Sequence, residues 1–193
     1  MNHRLFLPFL SLLAVILLSS CGKTENEFSS RPCVLIFDNS THNDATLAAA
    51  MTPYSGTFVT ITLTNHRGAR YFKFSSNQGI SSESILDAID LRRSMILGMN
   101  DALIVGYGNL SDNNGILPFY AFDRECPNCF APDEIPVRSY PLHVNTAGIA
   151  TCNICKRKYN LNNGGILSDG DAGNKMTRYR ASTTGPYGIL AVN

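Results

Sequence analysis

Two cysteine pairs carry the chemistry that this chain's residue types allow. Cys126-Pro127-Asn128-Cys129 is followed, 22 residues later, by Cys152-Asn153-Ile154-Cys155. Two residues between cysteines let a tight turn aim both sulfurs at one point. Two such knuckles face to face make a tetrahedral S4 cage, which suits Zn(II), a single iron or an iron–sulfur cluster. Such a cage is closed and leaves no coordination position for substrate. With zinc it carries a charge near −2. Lys156, Arg157 and Lys158 stand beside the second knuckle, either to offset that charge or as a solvated face. The same four cysteines could instead pair as disulfides, stapling a metal-free β module, or serve a thiol–disulfide protein. A reactive pair of the latter kind sits at a helix N-terminus, and Phe130-Ala131-Pro132 does not begin a helix convincingly. Hydrolytic chemistry has no support in the residues. Asp87, Asp90, Asp101 and Asp112 fall in scattered helix and turn contexts, and no nucleophile-elbow glycine pattern is present. The expectation is binding or electron transfer without catalysis.

The chain that must position these sulfurs has 193 residues, 44% hydrophobic and 16% charged, with a net charge of +1. That balance offers no basic stripe for nucleic acid, and none is expected as a partner. Residues 1–20 read as a secretory leader: a short basic start, then an apolar run from Leu5 to Leu18 that is short for a membrane-spanning helix. The run ends in Leu18-Ser19-Ser20-Cys21-Gly22, which resembles the lipobox of bacterial lipoproteins and points to acylation of Cys21. The expected product is exported and lipid-anchored in the bacterial cell envelope, at the outer membrane. Its acyl chains would be the only membrane contact, and a redox or envelope protein is a possible partner. Residues 21–31 read as a flexible tether and 32–193 as a single domain. Cys33 lies in the apolar stretch Cys33-Val34-Leu35-Ile36-Phe37 and reads as a buried core thiol, not a fifth ligand.

Short alternating runs dominate that domain. Strands are expected at Cys33–Phe37 and Phe58–Thr64, with Tyr71–Phe74 as the returning arm of a hairpin. Further strands are expected at Ala102–Gly108, which is apolar on both faces, and Ile116–Phe122. His42 sits among turn formers and reads as solvated. Ser81 to Arg93 has the cap and spacing of one short amphipathic helix, and Thr46–Met51 reads as weakly helical or irregular. Beyond the first knuckle, Tyr140–Val144 and Ile149–Thr151 form a hairpin across Asn145–Gly148 that delivers Cys152. Lys158–Leu161 follows as a strand, and a last hairpin turns at Thr183–Pro186. The class expected is all-β, built from small antiparallel sheets.

With these residues in order, the last 90 or so positions resemble a Rieske-type domain. The likeness rests on Phe119–Pro127 entering the first ligand loop and on a hairpin into Cys152-Asn153-Ile154-Cys155. It continues through Tyr159–Gly165 and a closing strand at Tyr179. The resemblance implies stacked antiparallel sheets with an inserted metal-binding subdomain at about residues 120–165. The family's ligand motifs are Cys-x-His and Cys-x-x-His. Here the cysteine positions fall on Cys126 and Cys152, the histidine positions on Asn128 and Cys155, and Cys129 lies just past the first motif. His143 lies in a strand and reads as a sheet residue. Histidine ligation is what raises a Rieske potential, so a [2Fe–2S] cluster held by Cys126, Cys129, Cys152 and Cys155 would be a low-potential one. The leader holds one arginine and no twin-arginine pair. Passage as an unfolded chain favours Zn(II), acquired after export because binding couples to folding. Zn(II) and a [2Fe–2S] cluster thus remain the two candidate cofactors.

Overall fold

The computed structural model describes residues 27–111 and 114–193. The leader, Cys21 and Asp112 lie outside those residues. The described chain forms three antiparallel sheets with two short helices, so the all-β class holds. The largest sheet runs β11-β6-β5-β2-β3-β4, from strands Phe58–His66 (β2), Ala69–Ser76 (β3), Ser81–Ile85 (β4), Ala102–Tyr107 (β5), Phe119–Asp123 (β6) and Arg178–Tyr179 (β11). A second sheet closes the chain on itself: Leu35–Asp38 (β1) pairs with Ile189–Val192 (β13), which pairs with Ala181–Thr183 (β12). The third, ordered β10-β9-β8-β7, is built from Leu142–Val144 (β7), Ile149–Cys152 (β8), Lys158–Asn160 (β9) and Ile166–Asp169 (β10).

Alternation along the central strands explains the two cores. Val59 and Ile61 on β2 share a face with Leu103 and Val105 on β5, and this face packs with Leu35, Phe37, Phe72, Phe74 and Leu190. The opposite face presents Phe58, Ile104, Tyr120 and Phe122 to the third sheet, where they meet Leu142, Tyr159, Leu161, Cys126 and Cys152. β5 is buried on both sides because each face belongs to a different core. Gly106 makes the second packing possible. A Cβ there would stand 2.6 Å from Phe58 Cδ1, so the rings of that core close over bare backbone.

The amphipathic helix expected over Ser81–Arg93 is not formed. Ser81–Ile85 is an edge strand in register with β3, pairing Phe72 with Ser84 and Lys73 with Glu83. Of the expected apolar stripe only Leu86 is buried, while Ile85 and Ile89 are more than half exposed. The alternating Ser82 and Ser84 suit an edge strand, and Asp87 then spends its carboxylate capping the N–H groups of Ile89 and Asp90 in a short turn.

His42 is also placed differently from expectation. Asp38 caps the four-residue helix Asn39–His42 (α1), accepting from Ser40 N, and this swings the imidazole inward. The side chain is only 6% exposed and stacks on Phe37 at 4.5 Å between centroids. Its Nδ1 lies 2.7 Å from Ser84 Oγ, and its Nε2 lies 3.0 Å from Asp90 Oδ2. The small residues of 45–50 form the second helix, Ala45–Ala50 (α2), capped by Asp44. The segment expected to be a free tether is docked from Glu27 onward. Phe28 lies under the guanidinium groups of Arg178 and Arg180, Ser29 N donates to Arg178 O, and Arg31 forks onto Asp133.

Cys33 is 3% exposed in the first core, as the sequence suggested. Burial pushes its thiol up to about 11, a backbone N–H from Gly98 pulls the other way, and the Asp123 charge adds to the rise. A raised folded value means that this thiol's contribution to stability is complete below the unfolded thiol range and fades as pH climbs toward 11. In the folded protein Cys33 is therefore expected to resist iodoacetamide at neutral pH and to react only after unfolding. Peptide mapping by mass spectrometry checks this, and prompt native-state labelling would contradict it.

Candidate metal centre

The four knuckle cysteines converge. Their Sγ atoms all lie within 4.8 Å of one another. Two close contacts run between knuckles, 3.7 Å from Cys126 to Cys155 and 3.8 Å from Cys129 to Cys152. These contacts are far longer than a disulfide bond of about 2.05 Å. They match the edge of about 3.8 Å that a tetrahedron with Zn–S bonds of about 2.3 Å would have. The spacing between the pairs thus does what the sequence suggested, and the four residues could hold a metal ion. Cys126 and Cys152 are buried, whereas Cys129 and Cys155 are partly exposed, so the site lies at the surface end of the second core.

Backbone hydrogen bonds shape each knuckle before any ion is considered. In the first, Cys129 N and Phe130 N both donate to Cys126 O, and Cys126 N donates to Tyr140 O, tying the turn to the start of β7. In the second, the β8–β9 hairpin closes through Lys156 N to Cys152 O and Cys152 N to Arg157 O, both at 3.0 Å, with Lys156 at φ 62°. A single residue in that left-handed conformation lets the chain reverse within the knuckle.

The thiols are electrostatically unequal. Burial raises both Cys126 and Cys129, and the neighbouring sulfurs add to the rise at Cys129. Burial acts upward on Cys155 too. There the backbone N–H and guanidinium of Arg157, with donation from the Cys129 and Cys152 thiols, outweigh it and bring the group down to about 6. Arg157 is held for this task by Nε donating to Asp171 O and an η nitrogen donating to Ala172 O. Lys158 instead reaches Asp169, at 2.6 Å, on the neighbouring strand. The basic run beside the second knuckle therefore divides its work, and Arg157 is the member that faces sulfur.

Several residues around the sulfurs were not singled out from the sequence as site residues. Tyr159, buried on β9, places its hydroxyl 3.5 Å from Cys126 Sγ and receives Asn128 Nδ2 at 2.8 Å. The hydroxyl's proton is then free to point at sulfur. Asn128, at a position where the family resemblance would put a histidine ligand, is also held on both sides by the backbone of Asn174. Just ahead of the knuckle, the buried Glu125 carboxylate accepts from Asn100 Nδ2 at 2.6 Å, from Ser139 Oγ and from Tyr140 N. Asn128 beside a cysteine and an acid directly before one were the available signals. Partners lying 14 to 46 residues away hid their roles.

Tyr159→Phe should keep the ring in the core and remove the hydroxyl that touches Cys126 Sγ. Outer hydrogen bonds of this kind are worth about 10- to 100-fold in metal affinity. The expected result is a loss near the lower end of that range, with the fold intact, read by competition with a chromophoric chelator. Unchanged affinity would remove Tyr159 from the site.

A second group of metal-ligand type, His42, Asp87 and Asp90, also lies within 4.8 Å. Its contacts are internal. His42 is taken by Ser84 and Asp90, Asp90 Oδ2 also receives Asp87 N, and Asp87 Oδ1 caps two backbone N–H groups. This network ties the 85–93 turn to α1. Asp101, expected among scattered carboxylates, remains on an exposed turn.

Comparison with protein-family models, with curated proteins and with solved structures finds no match to the chain.

Proposed function

We propose that Cys126, Cys129, Cys152 and Cys155 hold one Zn(II) ion as a structural clamp in a Rieske-like, lipid-anchored module of the cell envelope. The observation that carries the metal reading is the mutual span of the sulfurs, at most 4.8 Å. A [2Fe–2S] rhomb sets two irons and two sulfides between its thiolate pairs, so sulfurs on opposite irons stand well beyond one tetrahedral edge. A mononuclear ion needs only the short edges seen here. Zn(II) would supply charge and cross-linking and no redox step. With Cys155 already favouring thiolate, the cation would draw off the remaining thiol protons.

The scaffold part of the reading has its support in strand order. An N-terminal strand closes against the C-terminal hairpin, and a four-stranded insert between β6 and β11 carries both knuckles. Of this, the Rieske likeness implies the stacked antiparallel sheets and the inserted metal-binding subdomain. Export and anchoring through Cys21 are supported by the leader pattern, and zinc could then be taken up after translocation. A clamp of this kind serves binding or assembly, not turnover.

Elemental analysis and a visible spectrum of the purified protein test the metal. Stoichiometric zinc in a colourless protein is the expected result. A brown protein with iron and sulfide would replace this reading with low-potential electron transfer. A metal-free protein without titratable knuckle thiols would replace it with disulfide staples.

A further inference from the structure

A groove of about 400 Å³ opens between the central sheet and β7, within the size range of small-ligand sites. Its lining is unusual in charge. Lys73, Arg124 and His143 face it, and no Asp or Glu does. Three other bases do find acids: Arg31 pairs with Asp133, Lys158 with Asp169, and Arg178 with Glu27. Among the described residues, the side chains of Lys73, Arg124 and His143 form no ion pair or hydrogen bond. The one acid in register with Lys73 is Glu83, and His66 Nε2 engages it at 2.9 Å.

Sheet register explains how the bases converge. Lys73 pairs with Thr62, Thr62 pairs with Ala102, and Arg124 N donates to Ala102 O. One row across four strands therefore has long bases at both ends and a threonine and an alanine as its floor. Three strand spacings put those ends about 14 Å apart at the backbone, and both side chains are long enough to lean inward. Thr60, Thr62 and Thr64 share this face of β2, with Ser75 of β3 opposite Thr60. Thr64 Oγ1 has no hydrogen-bond partner. His143, exposed on β7, supplies the other wall.

We propose that this groove binds a small hydroxylated anion, a sugar bearing a carboxylate or a phosphate. Lys73 and Arg124 would hold the charged group, since fork-shaped and point cations both favour oxyanions. The threonine row would meet the ligand's hydroxyls. The proposal does not need a metal in the knuckles, since Lys73, Arg124 and the threonine row belong to the central sheet, although the His143 wall stands on the sheet that carries Cys152.

The test is calorimetric titration of the full protein with glucuronate, glucose 6-phosphate, inorganic phosphate and glucose. At least one anionic sugar is expected to bind at about 1 mM or tighter, and glucose about tenfold more weakly. Whichever of glucuronate and glucose 6-phosphate binds better identifies carboxylate or phosphate as the recognised group. Binding should fall with added salt. It should also fall about tenfold in Arg124→Ala and, separately, in Lys73→Gln, whose exposed side chain bears little on folding. Three results would overturn the proposal: no anion binding more tightly than glucose, affinities untouched by both variants, or inorganic phosphate binding as well as the sugar phosphate.

Discussion

Cys152→Ser is expected to abolish stoichiometric metal and to release the third sheet while leaving the first core folded. The serine is nearly isosteric, so packing loss is small and the effect isolates the sulfur. Cys152 is buried at the end of β8, where its N–H and carbonyl close the second knuckle. Its sulfur lies 3.8 Å from Cys129, the short contact that joins the two knuckles through this pair. Without the shared ion, three thiols would crowd at van der Waals distance with a hydroxyl among them. The second core is small, and two of its members, Cys126 and Cys152, belong to the proposed metal site. Because site formation and folding share one free energy, a loss of several kcal/mol is expected, equivalent to about 10 °C or more in Tm. Hydrogen exchange localises it. Protection should fall across 140–169 and persist across 58–76 and 102–107. Full metal content, or exchange unchanged in 140–169, would count against the clamp.

Glu125→Ala is expected to cost about 3 kcal/mol and to weaken metal binding, although Glu125 touches no sulfur. The carboxylate is 3% exposed and gathers Asn100, Ser139 and Tyr140 N around the residue before Cys126. Alanine leaves three donors without an acceptor, and each buried orphan costs about 1–3 kcal/mol, partly recovered by water. Tyr140 O receives Cys126 N, so slack at Tyr140 passes directly into the first knuckle. Urea titration reads the stability change and chelator competition the affinity. Glu125→Gln should fall between wild type and alanine, because its amide keeps one acceptor oxygen and sets an NH2 among donors. A stability change in Glu125→Ala within about 0.5 kcal/mol would place Glu125 among ordinary surface positions.

Alternation and local turns made much of this molecule legible in the sequence. β2 and β3 meet across Arg67-Gly68, both at positive φ, as a tight hairpin requires. β7 and β8 meet across Asn145–Gly148 and deliver Cys152 where the spacing suggested. The convergence of the four cysteines was legible because two residues between cysteines is a local geometry. What stayed hidden was non-local or ambiguous in period. Ser81–Ile85 satisfied a helix cap and a strand alternation at once, and pairing with β3 decided it. His42 looked solvated because its neighbours are polar, yet Phe37, Ser84 and Asp90 enclose it from three separate segments. Tyr159, Asn128 and Glu125 act on the knuckles through partners distant in sequence, which no short pattern reveals.

X-ray absorption at the metal's K edge, on protein purified without added metal, tests the central claim most directly. One zinc per chain with a single shell of four sulfurs at about 2.3 Å and no metal–metal scattering is the result this account predicts. An iron edge with a second iron in the next shell, or a zinc shell containing nitrogen or oxygen in place of sulfur, would contradict it.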